Sequence, residues 1–255
     1  MVSTTRVWWT LLLALVLVSG CVTTDGNSRT HVDKDRALEN HIQLAYAYIE
    51  SGNRESARHH LRRAFDIDRR SPDAMGAMAM LYQLEGEPEL AEEYFRRTLR
   101  RDRDHTRTRN NFGVFLFGQG RYQDAYEELE RVVQDLDYDN RARALVNLGR
   151  SALHLGNTER AESAFRHAHV LDRSLPSAMI ELADLYFQKE DYAESKRFLD
   201  LFAERANHSP RSLWLGIRIE QIFGNEDQEA SYALALRNRY PYSREHLEYI
   251  QSKEQ

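Results

Sequence analysis

Shifted by 34 residues against itself, the chain superposes on its own copies. Leu44-Ala45, Tyr48, Gly52 and Ala57 fall on Met78-Ala79, Tyr82, Gly86 and Ala91. Phe112-Gly113, Leu116, Gly120 and Ala125 follow. After a lengthening of two residues come Leu148-Gly149, Ala152, Gly156 and Ala161, and then Leu182-Ala183 and Tyr186. Later in each unit Leu61, Phe95, Leu129, Phe165 and Leu199 recur. A unit this short cannot bury an apolar face alone, so the copies must stack on one another to make a continuous core.

A 34-residue period with a small residue eighth, an aromatic or aliphatic residue eleventh and Ala twentieth resembles the tetratricopeptide repeat (TPR), a helix-turn-helix unit. The physics agrees with the resemblance. Small residues at the eighth and twentieth places let two helices approach closely, and large ones at seven, eleven and twenty-four fill the rest. Gly52, Gly86, Gly120 and Gly156 stand where the first helix of each unit must stop, and glycine takes the left-handed C-cap conformation without steric cost. Ser71-Pro72 and Leu175-Pro176 open new units, since proline is tolerated in a first helical turn. A sixth, less regular unit opens at Ser209-Pro210 and keeps Leu215-Gly216, Ile219 and Gly224-Asn225, with Ala230 two residues late. Arg244 to about Ser252 reads as a final capping helix. The expectation is an all-α fold: a right-handed superhelix of six TPR helix-turn-helix repeats with a C-terminal capping helix. The TPR domain is placed at 36–255, with repeats at approximately 38–71, 72–105, 106–141, 142–175, 176–208 and 209–243.

The N-terminus carries a different signal. Met1 to Arg6 is short and polar with one positive charge, and Val7 to Val18 is apolar apart from Thr10, closing on Ser19-Gly20-Cys21. This reads as a signal peptide over 1–20. The apolar run of about twelve residues is well short of the roughly 20 that a spanning helix needs. Val18-Ser19-Gly20-Cys21 resembles the bacterial lipobox, which implies that Cys21 becomes a lipidated N-terminus bearing palmitate-type chains. Two or three acyl chains anchor stably where one does not. Val22 lacks the Asp associated with inner-membrane retention, so the expected location is the outer membrane, facing the periplasm. Residues 21–35 are expected to form the lipidated cysteine and a flexible tether, being polar and without period through Val32. Cys21 is the only cysteine, which excludes an internal disulfide.

No motif of catalysis is present. The chain has no Gly-rich phosphate loop, no Ser-centred nucleophile elbow and no H-E-x-x-H zinc helix. His59-His60 and His167-x-His169 point in different directions on a helix and lack a completing ligand cluster, so surface histidine is the simpler reading. Glu92-Glu93 and Glu127-Glu128 stand beside arginines that account for them. The segment from Phe95 to Arg109 carries seven arginines, which suits a phosphate or an acidic partner, yet Arg at a helix C-terminus also complements the helix dipole. With a formal charge of −5 and only Phe95 nearby for stacking, nucleic acid is not expected. The sequence therefore predicts no enzyme, no cofactor, no metal and no small-molecule substrate.

The informative side chains are those that the repeat turns toward its inner groove. They are Ile42, Tyr46 and Ile49 in the first unit, and Met80, Leu84, Asn111, Val114 and Phe117 in the second and third. Val146, Asn147 and Leu153 continue the series in the fourth. An apolar strip with two amides suits an amphipathic helix or an extended segment, whose main chain Asn111 and Asn147 can bond. The competing reading for each of these residues is that it only packs helix on helix. Ile42 and Tyr46 stand where a clamp for acidic chain ends would carry Lys and Asn, which disfavours such a clamp in the first unit.

Beyond the repeat, several strings resemble the pilotin lipoproteins of type IV pilus biogenesis known as PilF or PilW. They are Gly20-Cys21-Val22-Thr23-Thr24, Arg109-Asn110-Asn111-Phe112-Gly113-Val114-Phe115-Leu116, Asp200-Leu201-Phe202-Ala203, and Arg211-Ser212-Leu213-Trp214-Leu215-Gly216-Ile217-Arg218. Ala230-Ser231-Tyr232 and Arg239-Tyr240-Pro241-Tyr242-Ser243 follow in the family's order. The resemblance implies a non-enzymatic outer-membrane protein that binds the pilus secretin and helps it reach the outer membrane and multimerise, and hence supports pilus biogenesis and twitching motility. The alternative is a TPR lipoprotein scaffold for cell-wall enzymes or the outer-membrane protein insertion machinery.

Overall fold

In the computed structural model the described residues are 26–254, with side chains from Asp33 onward; Cys21 and the leader lie outside them. Among the described residues all regular structure is helical. The chain divides into two compact units, the first ending at Ala74 and the second starting at Met75.

The first unit holds α1 (Gly26–Glu50) and α2 (Arg54–Ile67). The tether expected over 21–35 is helical from Gly26 onward. The stretch from Asn27 to Ser51 contains neither Gly nor Pro, and Asp33, Arg36 and Glu39 place opposite charges three residues apart. Once the packed turns around Ile42 form, each further residue adds a backbone hydrogen bond without a new nucleation cost. At the turn, Gly52 sits at φ 74° and the Asn53 N–H donates to Tyr48 O at 2.8 Å. The Asn53 side chain then accepts from Ser56 N at 3.1 Å, capping α2. Ile42, Ala64 and Ala74 form one buried cluster, with Leu38, Tyr46 and Phe65 packed against them, and Ala45, Ala57 and Leu61 are fully buried in the same unit.

α3 (Pro72–Glu85) begins at the end of the first unit. The second unit continues with α4 (Pro88–Arg101), α5 (Thr106–Gly118), α6 (Tyr122–Val132), α7 (Arg141–His154) and α8 (Thr158–Leu171). It closes with α9 (Pro176–Gln188), α10 (Tyr192–Ala203), α11 (Pro210–Phe223), α12 (Glu226–Arg239) and α13 (Arg244–Lys253). Neighbours pack as antiparallel pairs, α5 on α6, α7 on α8, α9 on α10 and α11 on α12, while α5, α7, α9, α11 and α13 also touch in succession. The first helices of these repeats therefore share one face of the unit.

Close approach inside each pair rests on the eighth position. A Cβ on Gly113 would meet Leu129, one on Gly149 would meet the Phe165 ring, and one on Gly216 would meet the Tyr232 ring, all at 3.0 Å or less. Each partner is the large residue at place twenty-four of the same repeat. Asn157, Asp191 and Asn225 cap the second helices as Asn53 does, accepting from the N–H of Arg160, Glu194 and Gln228. Where the other repeats carry a left-handed Gly in the turn, the fifth has Glu190 at φ 61°. Glu190→Gly is expected to stabilise the chain by about 1 kcal/mol in denaturant unfolding, because the side chain clashes in this backbone region and glycine does not. No gain on substitution would show that Glu190 carries no strain.

Candidate protein-binding groove

The eleven side chains predicted to line a groove separate into distinct environments. Ile42, Ile49 and Val146 are only 6%, 7% and 2% exposed and belong to the helix-packing core. Ile42 is held against Ala64 and Ala74, and Val146 lies in the large cluster with Leu145, Leu148 and Met179. These three offer almost no surface to a partner. Tyr46, Met80, Leu84, Asn111, Phe117, Asn147 and Leu153 are half-buried, and Val114 is 40% exposed.

Within the second unit two of them meet. The Asn111 amide turns onto Met80, its Nδ2 standing 2.9 Å from Sδ, and its Oδ1 accepts from Asn110 at 3.4 Å. The Asn147 side chain has no hydrogen bond among the described residues, which leaves both its donor and its acceptor for an extended segment. Phe117 packs edge-on against Tyr122 at 5.2 Å and His154 at 5.1 Å, and His154 stacks on Tyr122 at 4.0 Å. This aromatic shelf at the third and fourth repeats is built on Phe117, which the sequence marked, and two rings it did not.

Farther along the same row of first helices the lining becomes ionic. Glu181 on α9 is buried, its side chain 5% exposed. It accepts from Arg150 on α7 at 2.8 Å and from Arg211 on α11 at 2.9 Å, and Arg211 also reaches Asp184 at 2.7 Å. Burial alone would push the Glu181 carboxyl up, but the hydrogen bonds and charge of Arg211 and Arg150 outweigh it and hold it below the ordinary carboxylate value. Three consecutive repeats are thereby tied through one carboxylate. The available signal was the offset: Arg150, Glu181 and Arg211 stand 31 and 30 residues apart, close to one repeat, with alternating sign.

Other motifs resolve into local structure. Arg96 pairs with Glu92 at 2.7 Å and lies over the Phe112 ring, Arg97 lies over Tyr94, and Arg109 pairs with Glu128 and donates to Arg103 O. In the first unit His60 Nδ1 is 3.0 Å from His41 Nδ1. Desolvation, then the neighbouring His41 and His59, keeps the His60 pKa below its usual value. Among the described residues no group of three or more His, Cys, Asp or Glu is arranged to hold a metal ion, and no helix is long and apolar enough to cross a membrane. A separate concavity beside the loop after α6, lined by Leu136, Tyr138, Arg141 and Leu171 among others, shares none of the groove positions.

Stacked helix pairs closed by glycine turns, with one row of helices presenting a mixed apolar and polar lining, define a tetratricopeptide-repeat protein. Family models of the tetratricopeptide repeat match residues 48–110, 104–174 and 146–210. The chain belongs to the PilF family: it is 39% identical over 252 residues to the type IV pilus assembly protein PilF of Pseudomonas aeruginosa, covering 98% of this chain and 100% of that protein. The solved structure from the functional characterization of Pseudomonas aeruginosa pilF superposes with a TM-score of 0.81 at 39% identity, over 86% of this chain and 99% of that one. The crystal structure of PilW, a widely conserved type IV pilus biogenesis factor, superposes with a TM-score of 0.73 at 23% identity, over 84% and 98% of the two chains. It shares the fold.

Proposed function

We propose that this chain is a lipid-anchored pilotin of the outer membrane: it binds the type IV pilus secretin through its repeats and promotes secretin localisation and multimerisation, and so pilus biogenesis and twitching motility. The observation that carries this reading is the 39% identity to PilF along essentially the full length of both chains. The lipobox-like Val18-Ser19-Gly20-Cys21 supplies the anchor in this reading, and Val22 favours the outer membrane. A stack of helix pairs works by holding another protein, and the side chains along its first helices suit an amphipathic segment better than a reaction. The protein acts as an adaptor and not as an enzyme. Acyl chains on Cys21 would commit the held cargo to the membrane they occupy.

A deletion strain is expected to lose secretin multimers from its outer-membrane fraction together with twitching. Multimers of normal amount and location in that strain would overturn the reading. For the first repeat, the burial of Ile42 makes Tyr46 the informative site. Tyr46→Asp is expected to weaken secretin capture about tenfold or more at unchanged helix content, because a half-buried aromatic at a contact is the usual energetic anchor. Normal capture by Tyr46→Asp, measured by pull-down with circular dichroism alongside, would remove the first repeat from the binding surface.

A further inference from the structure

The string Arg211 to Arg218 contains two arginines with opposite fates. Arg211 is fully engaged by Glu181 and Asp184. Arg218, two turns farther along α11, is held between two aromatic rings, its guanidinium carbon 4.5 Å from the Phe187 centroid and 5.3 Å from that of Trp214. The rings are themselves braced, Phe187 edge-on to Tyr192 at 5.4 Å and Trp214 edge-on to Tyr249 of α13 at 6.2 Å. The guanidinium is thus placed by rings from two successive first helices, α9 and α11, with the capping helix α13 bracing Trp214.

What it lacks is an acceptor. Its Nε is buried without a hydrogen-bond partner, and among the described residues no carboxylate lies within ion-pair distance of it. The nearby acids are Asp184 and Glu248, and each is already paired, with Arg211 at 2.7 Å and with Arg244 at 3.2 Å. Desolvation lowers the Arg218 pKa despite those two charges, so the cation is held in place at a cost. A partly desolvated fork whose two terminal nitrogens carry no protein hydrogen bond matches the two oxygens of a carboxylate in an end-on bidentate pair. The presence of Asp184 and Glu248 disfavours a doubly charged phosphate. The aromatic walls supply apolar surface for a neighbouring side chain of the same ligand.

The geometry points to a second recognition site at the C-terminal end of the repeats, in which Arg218, sandwiched by Phe187 and Trp214, receives a peptide carboxylate flanked by an apolar residue. It goes beyond the proposed secretin contact in the first repeats and does not depend on it. The carboxylate can be a chain terminus or an Asp or Glu side chain.

Trp214 provides a local readout. Trp8 and Trp9 are the only other tryptophans, so the difference between the chain and its Trp214→Phe variant isolates the signal of Trp214. The full chain, purified in detergent, is titrated with acetyl-Ser-Leu-Phe bearing a free carboxylate, acetyl-Glu-Leu-Phe amide, acetyl-Ser-Leu-Phe amide and inorganic phosphate. A saturable change in Trp214 emission is expected with one or both acidic peptides and not with the neutral one, and which acid responds identifies the source of the carboxylate. Arg218→Gln is expected to weaken that response about tenfold or more, and Arg218→Lys to restore part of it, since lysine keeps the charge and loses the fork. Circular dichroism and a thermal melt check that the variants fold. If Arg218→Gln does not fold, the contrast between acidic and neutral peptides on the unaltered chain decides alone. The proposal is overturned by no response to either acid, by an equal response to the neutral peptide, by phosphate binding as tightly as the acids, or by an unchanged response in folded Arg218→Gln.

Discussion

Glu181→Ala is expected to lower the unfolding free energy by about 3 kcal/mol, the range for removing one partner from a buried ionic contact. The carboxylate is buried, and its removal leaves Arg150 and Arg211 facing each other across the space it occupied, with only Asp184 remaining for Arg211. Both arginines are about two-fifths exposed and regain some water, which keeps the loss below the upper end for fully buried pairs. An exposed pair such as Arg63–Asp66 should by contrast cost about 0.5 kcal/mol or less when broken. The pH dependence has a definite sign. Because the folded-state pKa of Glu181 is depressed below its ordinary value of 4.5, its contribution is complete above that pH and disappears as the pH falls through the folded value. Glu181→Ala should therefore narrow its gap to the parent chain in acid. Urea unfolding at neutral pH and at successively lower pH measures both effects. A loss no larger than that of Arg63→Ala would mean that the network does not tie the repeats together.

The second large effect is expected from the addition of one methyl group. In Gly149→Ala the new Cβ would stand 2.7 Å from Phe165 Cδ1 and 2.9 Å from Cζ, and closer still to Cε1. Phe165 is fully buried, and protein interiors are close-packed, so helices α7 and α8 must part or the ring must leave its rotamer. A cost of about 2–3 kcal/mol follows. The residue pair alone does not forbid alanine, because the second repeat has Ala79 facing the corresponding Phe95 in one core cluster. What forbids it in the fourth repeat is the closeness of that particular pair of helices. Accordingly, Gly149→Ala combined with Phe165→Leu should recover part of the loss, where independent defects would add. Thermal and urea unfolding of the two single variants and the double variant form the cycle. Gly149→Ala within about 0.5 kcal/mol of the parent would show that the helices separate freely.

The helical fold was legible because its signals are local and repeated. Small residues at the eighth place, large ones at the twenty-fourth and glycine at the turn recur at fixed spacing, and each acts on a neighbour within its own repeat. The asparagines that follow the turn glycines were visible as well, although their role as caps on the second helices became plain only from the bonds of Asn53, Asn157 and Asn225. The helical start at Gly26 was missed because polar composition was read as a tether, while the absence of Gly and Pro up to Ser51 was the stronger signal.

The groove was legible only as a set of positions. Periodicity says which way a helical side chain points, but whether it ends in solvent or in the core depends on the size of residues one repeat away. Ile42 is covered because Ala64 and Ala74 leave room for it, and Val146 because its cluster closes over it, whereas Val114 at a related place stays open. The same holds for charge. The sequence by itself determined the helix pairs, their turns and the face each first helix presents, since these follow from contacts within about one repeat. Only the tertiary structure decided that Glu181 joins Arg150 to Arg211 while Arg218 is left between two rings without an acceptor, because both outcomes depend on the distances between side chains of different repeats.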